Sequence, residues 1–302
     1  MKRLIKAFVS KLLFRNRSQK TFIPIRVSRG DITERVFLVS HGTRTEVTWE
    51  HCVVCHSPFC VAIWTNESRA GSAAIEIINN GKTAVEIELS LKHEVSLNGN
   101  FVSVFEITKA KCFQIPYWHQ YVLLKRYFLR KKKDTFSEGM KYGATYSFPR
   151  RVIMVSYKDD SYFNIFPMDF QCFVEKGNVI ILGLRTTNTT LKKILLSRKV
   201  VVSDSSSVDM KTVYDLGRNH SVAPPSLDQL PFTTITSEKF GFYVPEFSSS
   251  YKEFEIVNSV ELGTHTLMIG NLVTSKNLRD DTSFIHHIHF FQFVVSKYIE
   301  LN

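Results

Sequence analysis

The sequence predicts a mainly β fold with a few helices, a β-rich α+β chain built as two β modules. Short runs of β-branched and aromatic residues recur along most of the 302 residues, at the length of strands. Turn signals such as Asn79-Asn-Gly81 and Asn98-Gly-Asn100 separate them. Helical spacing is confined to a few stretches, and a chain of this length suggests two domains at about 150 residues each.

In chain order, residues 1–20 form a basic arm in which Leu4, Ile5, Phe8, Leu12 and Phe14 fall near helical spacing with lysines on the other side. That pattern suits a surface-binding helix or a docked terminal one. Residues 21–116 read as a β-rich amino-terminal domain, with strands at Val36–Val39, Cys60–Trp64, Ala73–Ile78, Ala84–Leu89 and Phe101–Ile107. Residues 117–140 read as a basic linker helix, because Tyr121, Leu124, Phe128 and Leu129 recur near helical spacing. Residues 141–302 read as a second β domain, with strands at Arg151–Ser156, Asn178–Leu184, Lys199–Ser203, Phe254–Val257, Thr264–Ile269 and Ile288–Phe293, and a helix at Thr189–Leu196. Strands with few helices favour a barrel over a doubly wound sheet. Arg35-Val-Phe-Leu-Val-Ser-His41 echoes Arg151-Val-Ile-Met-Val-Ser-Tyr157, and Asn98–Phe105 echoes Leu262–Ile269 in the same order, which suggests internal duplication and a degenerate amino-terminal barrel.

The net charge of +11 is concentrated. Residues 1–20 hold seven basic residues and residues 121–133 hold six, neither stretch with an acid, whereas elsewhere 26 basic residues face 28 acidic ones. The folded bulk is near neutral, which disfavours a nucleic-acid binder with a basic face. No run of about 18 apolar residues is free of charge, so no transmembrane helix is expected. Lys6 and Lys11 interrupt any signal-peptide core, and five cysteines form no even framework, so a cytoplasmic, reducing location is expected.

Cys52-Val-Val-Cys55-His56 has the spacing of a haem attachment or half a metal site, but no second pair follows and its surroundings read as strand core. No metal is assigned. His287 and His289 share one strand face, where they suit a pocket wall. Dinucleotide, Walker, nucleophile-elbow and zincin signatures are absent. What remains is Arg185-Thr-Thr-Asn-Thr-Thr190, a hydroxyl-rich bend between a buried strand and a helix. Such a bend either holds a phosphate monoester on Arg185 and backbone N–H groups or merely caps the helix.

Residues of about 141–295 resemble the flavin reductase-like family of FMN-binding split barrels. The likeness rests on four blocks in order: Pro149–Ser156 with Asn164–Phe170, Val179–Thr190 with its helix, Lys199–Ser203, and Glu261-Leu-Gly-Thr-His-Thr-Leu-Met-Ile-Gly270. Thr264 stands where an Asp is common, and Met168-Asp169 where small hydroxyl residues are common. Asn219-His-Ser221 with Pro224-Pro225 looks like an insertion shared with longer relatives. These also carry an amino-terminal module with a Ser-Pro-Phe such as Ser57-Pro-Phe59.

The resemblance implies an FMN-binding oxidoreductase, FAD being the alternative, that takes hydride from NAD(P)H. It implies flavin phosphate on Arg185, Thr187, Asn188 and Thr190, flavin against Asn164, Asp169 and Phe170, and His265 with His289 bordering the nicotinamide. It implies a homodimer, or an intrachain pseudo-dimer with the amino-terminal domain in the partner's place. The rival readings are a flavin-binding sensor or electron-transfer protein without turnover, and an interaction protein acting through its basic segments.

Overall fold

The computed structural model describes residues 22–68, 71–127 and 135–301. The arm of residues 1–20 and the basic run within 128–134 lie outside the described residues. After β1 (Phe22–Ser28) come β2 (Arg35–Ser40), β3 (Thr43–Glu46), β4 (His51–His56), β5 (Phe59–Thr65), β6 (Ser72–Asn79), β7 (Lys82–Leu97) and β8 (Asn100–Cys112). Strands β2 to β8 form one seven-stranded antiparallel sheet of order β3-β2-β6-β7-β8-β5-β4. Asn80-Gly81 and Asn98-Gly99, all at positive φ, make the two tight turns around β7, as their residue types demand.

In the second half, β9 (Arg150–Arg151) precedes β10 (Ile153–Lys158), β11 (Phe163–Met168), β12 (Gln171–Val174), β13 (Val179–Arg185) and β14 (Lys199–Ser203). The short pair β15 (Thr234–Thr236) and β16 (Tyr243–Pro245) follows, then β17 (Ser250–Glu261), β18 (His265–Asn277) and β19 (Ser283–His289). Its main sheet has the order β11-β10-β14-β17-β18-β13-β12. With β10 to β14 matched to β2 to β6, and β17 and β18 to β7 and β8, the two orders are identical. The duplication suggested by the echoing segments is therefore a repeat of topology.

Two connections break the repeat. Between β5 and β6 runs a short loop, whereas between β13 and β14 lie the threonine-rich bend and a helix over Leu191–Ser197. Between β14 and β17 an insertion carries a helix over Met210–Leu216, the turn Gly217–His220 and the β15–β16 pair. Only the second half thus carries the bend that the sequence offers as a phosphate site.

The halves meet through β4, buried along almost its whole length, against β12, β13 and β18. Cys52, Val54, Cys55, Cys60, Ala62, Trp64, Val102 and Val104 share a core with Cys172, Val174, Val179, Ile181, Leu262, Leu267 and Ile269. Equivalent strands from the two repeats face each other, as in an isologous dimer made within one chain. All five cysteines are free and buried, and four of them sit in this seam as small apolar groups. Close approach needs glycine: a Cβ on Gly183 would lie 2.4 Å from the Val54 carbonyl oxygen, and one on Gly263 2.4 Å from that of Ser57.

Three expectations change. Strand β1, read as part of the amino-terminal domain, pairs instead with β19, which also pairs with β9. The helix expected over 117–140 is two helices, Tyr117–Tyr127 and Phe136–Thr145. Thr135 starts the second with a capping box to Glu138. The strand expected to run to Phe293 stops at His289, whose Nδ1 accepts the Phe291 N–H and caps a helix over Phe290–Val295. Among the described residues no helix is long and apolar enough to cross a membrane.

Candidate functional site

Strand β13 is buried from Val179 to Leu184 and emerges at Arg185. Its register with β18 sets Arg185 directly across from His265, so guanidinium and imidazole stand side by side. The Gly183 N–H donates to the Phe170 carbonyl at 2.8 Å, which holds the β11–β12 connection and Asp169-Phe170 against the same spot. From the other half, the turn after β4 docks on Thr264. The Thr264 N–H donates to the Ser57 carbonyl at 3.0 Å, and its hydroxyl oxygen accepts the Ser57 N–H at 3.2 Å. Cys55 donates to the Leu262 carbonyl at 2.8 Å. These bonds bring His56 over the end of β13.

A cavity of about 290 Å³ results, lined by Asp169, Phe170, Arg185, His220, His265 and His56, with Gly217 and Ser221 at its edge. The His56 ring lies 4.4 Å from Phe170 and 5.4 Å from His265, and His265 lies 5.2 Å from Phe170. Among the described residues Arg185 has no hydrogen bond or ion pair, and it is exposed. His56 Nε2 is buried without a hydrogen-bond partner.

The electrostatics keep the imidazoles neutral. Burial and then the charge of His265 push His56 down to about 3; Asp169 pulls the other way, and Arg185 and Arg150 add smaller downward pushes. Burial and Arg185 push His265 down to about 4. For Asp169, burial acts upward, but the hydrogen bond and charge of His287, with Arg150 and His56, outweigh it and hold the carboxyl below its ordinary value. Its Oδ2 accepts from His287 Nδ1 at 2.8 Å and from the Tyr146 hydroxyl at 3.1 Å. The site therefore offers a fixed carboxylate, a free guanidinium and two uncharged rings.

The threonine-rich bend is turned mostly inward. The N–H groups of Thr186, Asn188, Thr189 and Leu191 donate to the carbonyls of Thr264, Arg185, His220 and Asn188, and that of Thr190 to Asn188 Oδ1. Asn164 Nδ2 donates to Thr190 Oγ1 and to the Asn219 carbonyl, both at 2.8 Å. Asn188 Nδ2 donates to His220 Nδ1, whose Nε2–H donates to the Pro167 carbonyl. The turn of the insertion, Gly217–His220, thus occupies the inner side of the bend. Asn164, Asn188 and Thr190 are buried and bonded within the chain, whereas Arg185, Thr186, Thr187 and Ser221 remain exposed at the rim.

Of the residues expected from sequence, the fold brings Asp169, Phe170, Arg185 and His265 to one cavity, with Thr187 at the edge of the bend. It separates His289, which is fully buried as the cap of the last helix, with its ring 3.9 Å from Phe290 and 4.6 Å from Phe291. His56 and His220 were not expected there. The signal for His56 was its position as the last residue of a buried cysteine-bearing strand, and the signal for His220 was the insertion itself. Among the described residues no group of three or more His, Cys, Asp or Glu could hold a metal ion.

No protein-family model matches the sequence, and no curated protein does. Solved structures similar to about half of the chain are flavin reductases and FMN-binding proteins of split-barrel type. One is BorF, the flavin reductase component of a bacterial two-component tryptophan halogenase, 14% identical over 53% of this chain and 94% of its own, with a TM-score of 0.43. Another is an FMN-binding protein from Thermus thermophilus, 17% identical over 43% and 73%, TM-score 0.38. A third is flavoredoxin from Methanosarcina acetivorans, 14% identical over 43% and 69%, TM-score 0.36.

Proposed function

We propose that the second half binds a flavin nucleotide, FMN before FAD, in the cavity between the halves, and that the protein is a flavin-dependent oxidoreductase using NAD(P)H. The carrying observation is the unpaired Arg185 guanidinium at the mouth of a cavity walled by Phe170 and two neutral imidazoles. Ligand pockets set a few convergent polar groups among apolar ones; this cavity is more polar than most and, at about 290 Å³, just below their usual size.

The residues present fit the flavin differently from the sequence expectation. Arg185, with Thr186, Thr187 and Ser221 beside it, would take the phosphate as a charge-assisted partner, in place of Asn188 and Thr190. Phe170, His265 and His56 would flank the ring system. Bound there, the flavin supplies the hydride-accepting chemistry itself, so no proton relay of the protein is required. His56, delivered by the first half, closes the cavity against water in the place a second subunit would take. His265 carries no charge at neutral pH, so it can exchange a hydrogen bond with a bound nicotinamide without repelling an oxidised, cationic one. Asp169, fixed by His287 and Tyr146, keeps a negative charge at a set point.

The visible spectrum of the purified chain, before and after adding FMN and then NADH or NADPH, tests this. Saturable perturbation of the FMN bands followed by bleaching supports it, and unperturbed bands overturn it. The inward-turned bend favours a second reading, flavin binding without turnover, for which the bands shift but neither nicotinamide nucleotide bleaches them.

A further inference from the structure

A second cavity lies apart from the flavin site and shares no lining residue with it. Its outer part, about 130 Å³, is walled by Trp49, Phe148, Phe173 and Phe284 and holds Arg150 and Arg151. A smaller adjoining part of about 60 Å³ also contains Arg151 and Phe173 and adds Lys252, Ser203 and Asp204.

Arg151 and Lys252 feel the charges of Asp204 and Glu175 but, among the described residues, make no hydrogen bond or ion pair with either. The half-buried Arg151 guanidinium stacks 3.6 Å over the Phe284 ring and donates to no acceptor among the described residues. Its Nε is a buried donor without a partner. Ser203 Oγ, on the same wall, is also unpartnered. Lys252 Nζ lies over the Phe173 ring at 5.1 Å with no hydrogen bond or ion pair among the described residues. Arg150 is spent on the Thr145 carbonyl, at 3.0 and 2.7 Å. The nearby carboxylates are committed elsewhere: Asp204 accepts from Ser206, Ser249 and Ser250, and Glu175 pairs with Arg29. A buried donor without an acceptor is costly, so the unpartnered Arg151 Nε and Ser203 Oγ beside Lys252 mark a place for an acceptor group of a ligand.

We infer that this cavity binds a small monoanionic aromatic carboxylate, its carboxylate on Arg151 and Lys252 and its ring among Phe148, Phe173 and Phe284. The outer part, about 130 Å³, is small beside the roughly 300 Å³ and more of pockets for larger ligands, which suits a single ring with one charged group. The outer part continues into the position that corresponds, in the first half, to the flavin site. There Trp49-Glu50 before β4 stand in the place of Asp169-Phe170 before β12. Among the described residues that position has no phosphate bend, and Thr65 ends the strand where Arg185 ends its counterpart.

Calorimetric titration of the full chain with benzoate, and separately with inorganic phosphate, tests the inference. Benzoate is expected to bind saturably at one site per chain, and phosphate at least tenfold more weakly. Arg151→Gln should weaken benzoate by roughly tenfold or more, the size of one charge-assisted contact. Lys252→Met should weaken it in the same direction and serves if Arg151→Gln fails to fold, while Arg185→Ala should leave it unchanged. Absent benzoate binding, equal binding of phosphate, or benzoate binding indifferent to both Arg151→Gln and Lys252→Met would overturn the assignment. FMN binding is read separately in the visible bands, so either site can fail without the other.

Discussion

An exposed guanidinium with no protein partner loses nothing when its charge is removed, unless a ligand uses it. Arg185→Ala should therefore leave the unfolding midpoint in urea unchanged and weaken FMN by roughly 1.5–3 kcal/mol, measured by quenching of flavin fluorescence. Thr190→Val should do the reverse. It strips one acceptor from the buried Asn164 amide, leaving the Asn219 carbonyl, and should cost about 1–2 kcal/mol of stability, read in the same urea titration, with a smaller effect on FMN affinity. Arg185, Asp169, Phe170 and His265 were legible because each sits at or beside the end of a strand whose apolar run is plain in the sequence. Asn164, Asn188 and Thr190 misled because a polar residue reads alike whether it faces a ligand or the amide of a distant insertion. His289 misled because the change from strand to helix at Phe290 has no local signal in an unbroken aromatic run.

At the scale of elements, the seam depends on backbones touching. Strand β13 meets β4 at Gly183, where an added Cβ would stand 2.6 Å from the Val54 Cα. Backbone cannot swing aside as a side chain can, so Gly183→Ala must push the strands apart. The expected loss is about 1–3 kcal/mol in urea unfolding, as for overpacking of a core, together with weaker FMN binding, because His56 retreats with β4. Full stability in Gly183→Ala would show that the halves do not pack through this contact. The strands were legible in the sequence as β-branched runs between turn residues, including most members of both sheets. Their partners were not: β1 pairs with β19 across nearly the whole chain, and no periodicity encodes a register over that distance. The break between Tyr127 and Phe136 could have been read from Thr135 and Glu138, a capping pair at the right spacing.

For the whole molecule, two properties follow from the doubled fold. Burial in and near the seam depresses several histidines: His51, His56 and His286 to about 3 and His265 to about 4, from an ordinary 6.5. The unfolded chain takes up these protons at about pH 6.5, but the folded one does so only far lower, so the unfolded state gains as the solution is acidified. Stability should be level above pH 6.5 and fall below it, by up to about 1.4 kcal/mol per pH unit for each histidine. Urea midpoints from pH 7.5 to 5.0 check this, and His56→Gln should make the slope shallower. The second property is stoichiometry. An isologous interface repeats every site twice, whereas here the two equivalent positions along the seam belong to one chain and differ. At one, β13 ends in a free arginine and leads into the bend. At the other, β5 ends in Thr65, a short loop follows, and Glu50 and Glu175 are tied to Lys176 and Arg29. A flavin phosphate brought there would meet carboxylates instead of a free cation. FMN should therefore bind once per chain, with a single sharp break in a titration at protein concentrations far above the dissociation constant. A break at two per chain would mean that the first half has kept a working site and that the asymmetry of the two connections does not govern binding.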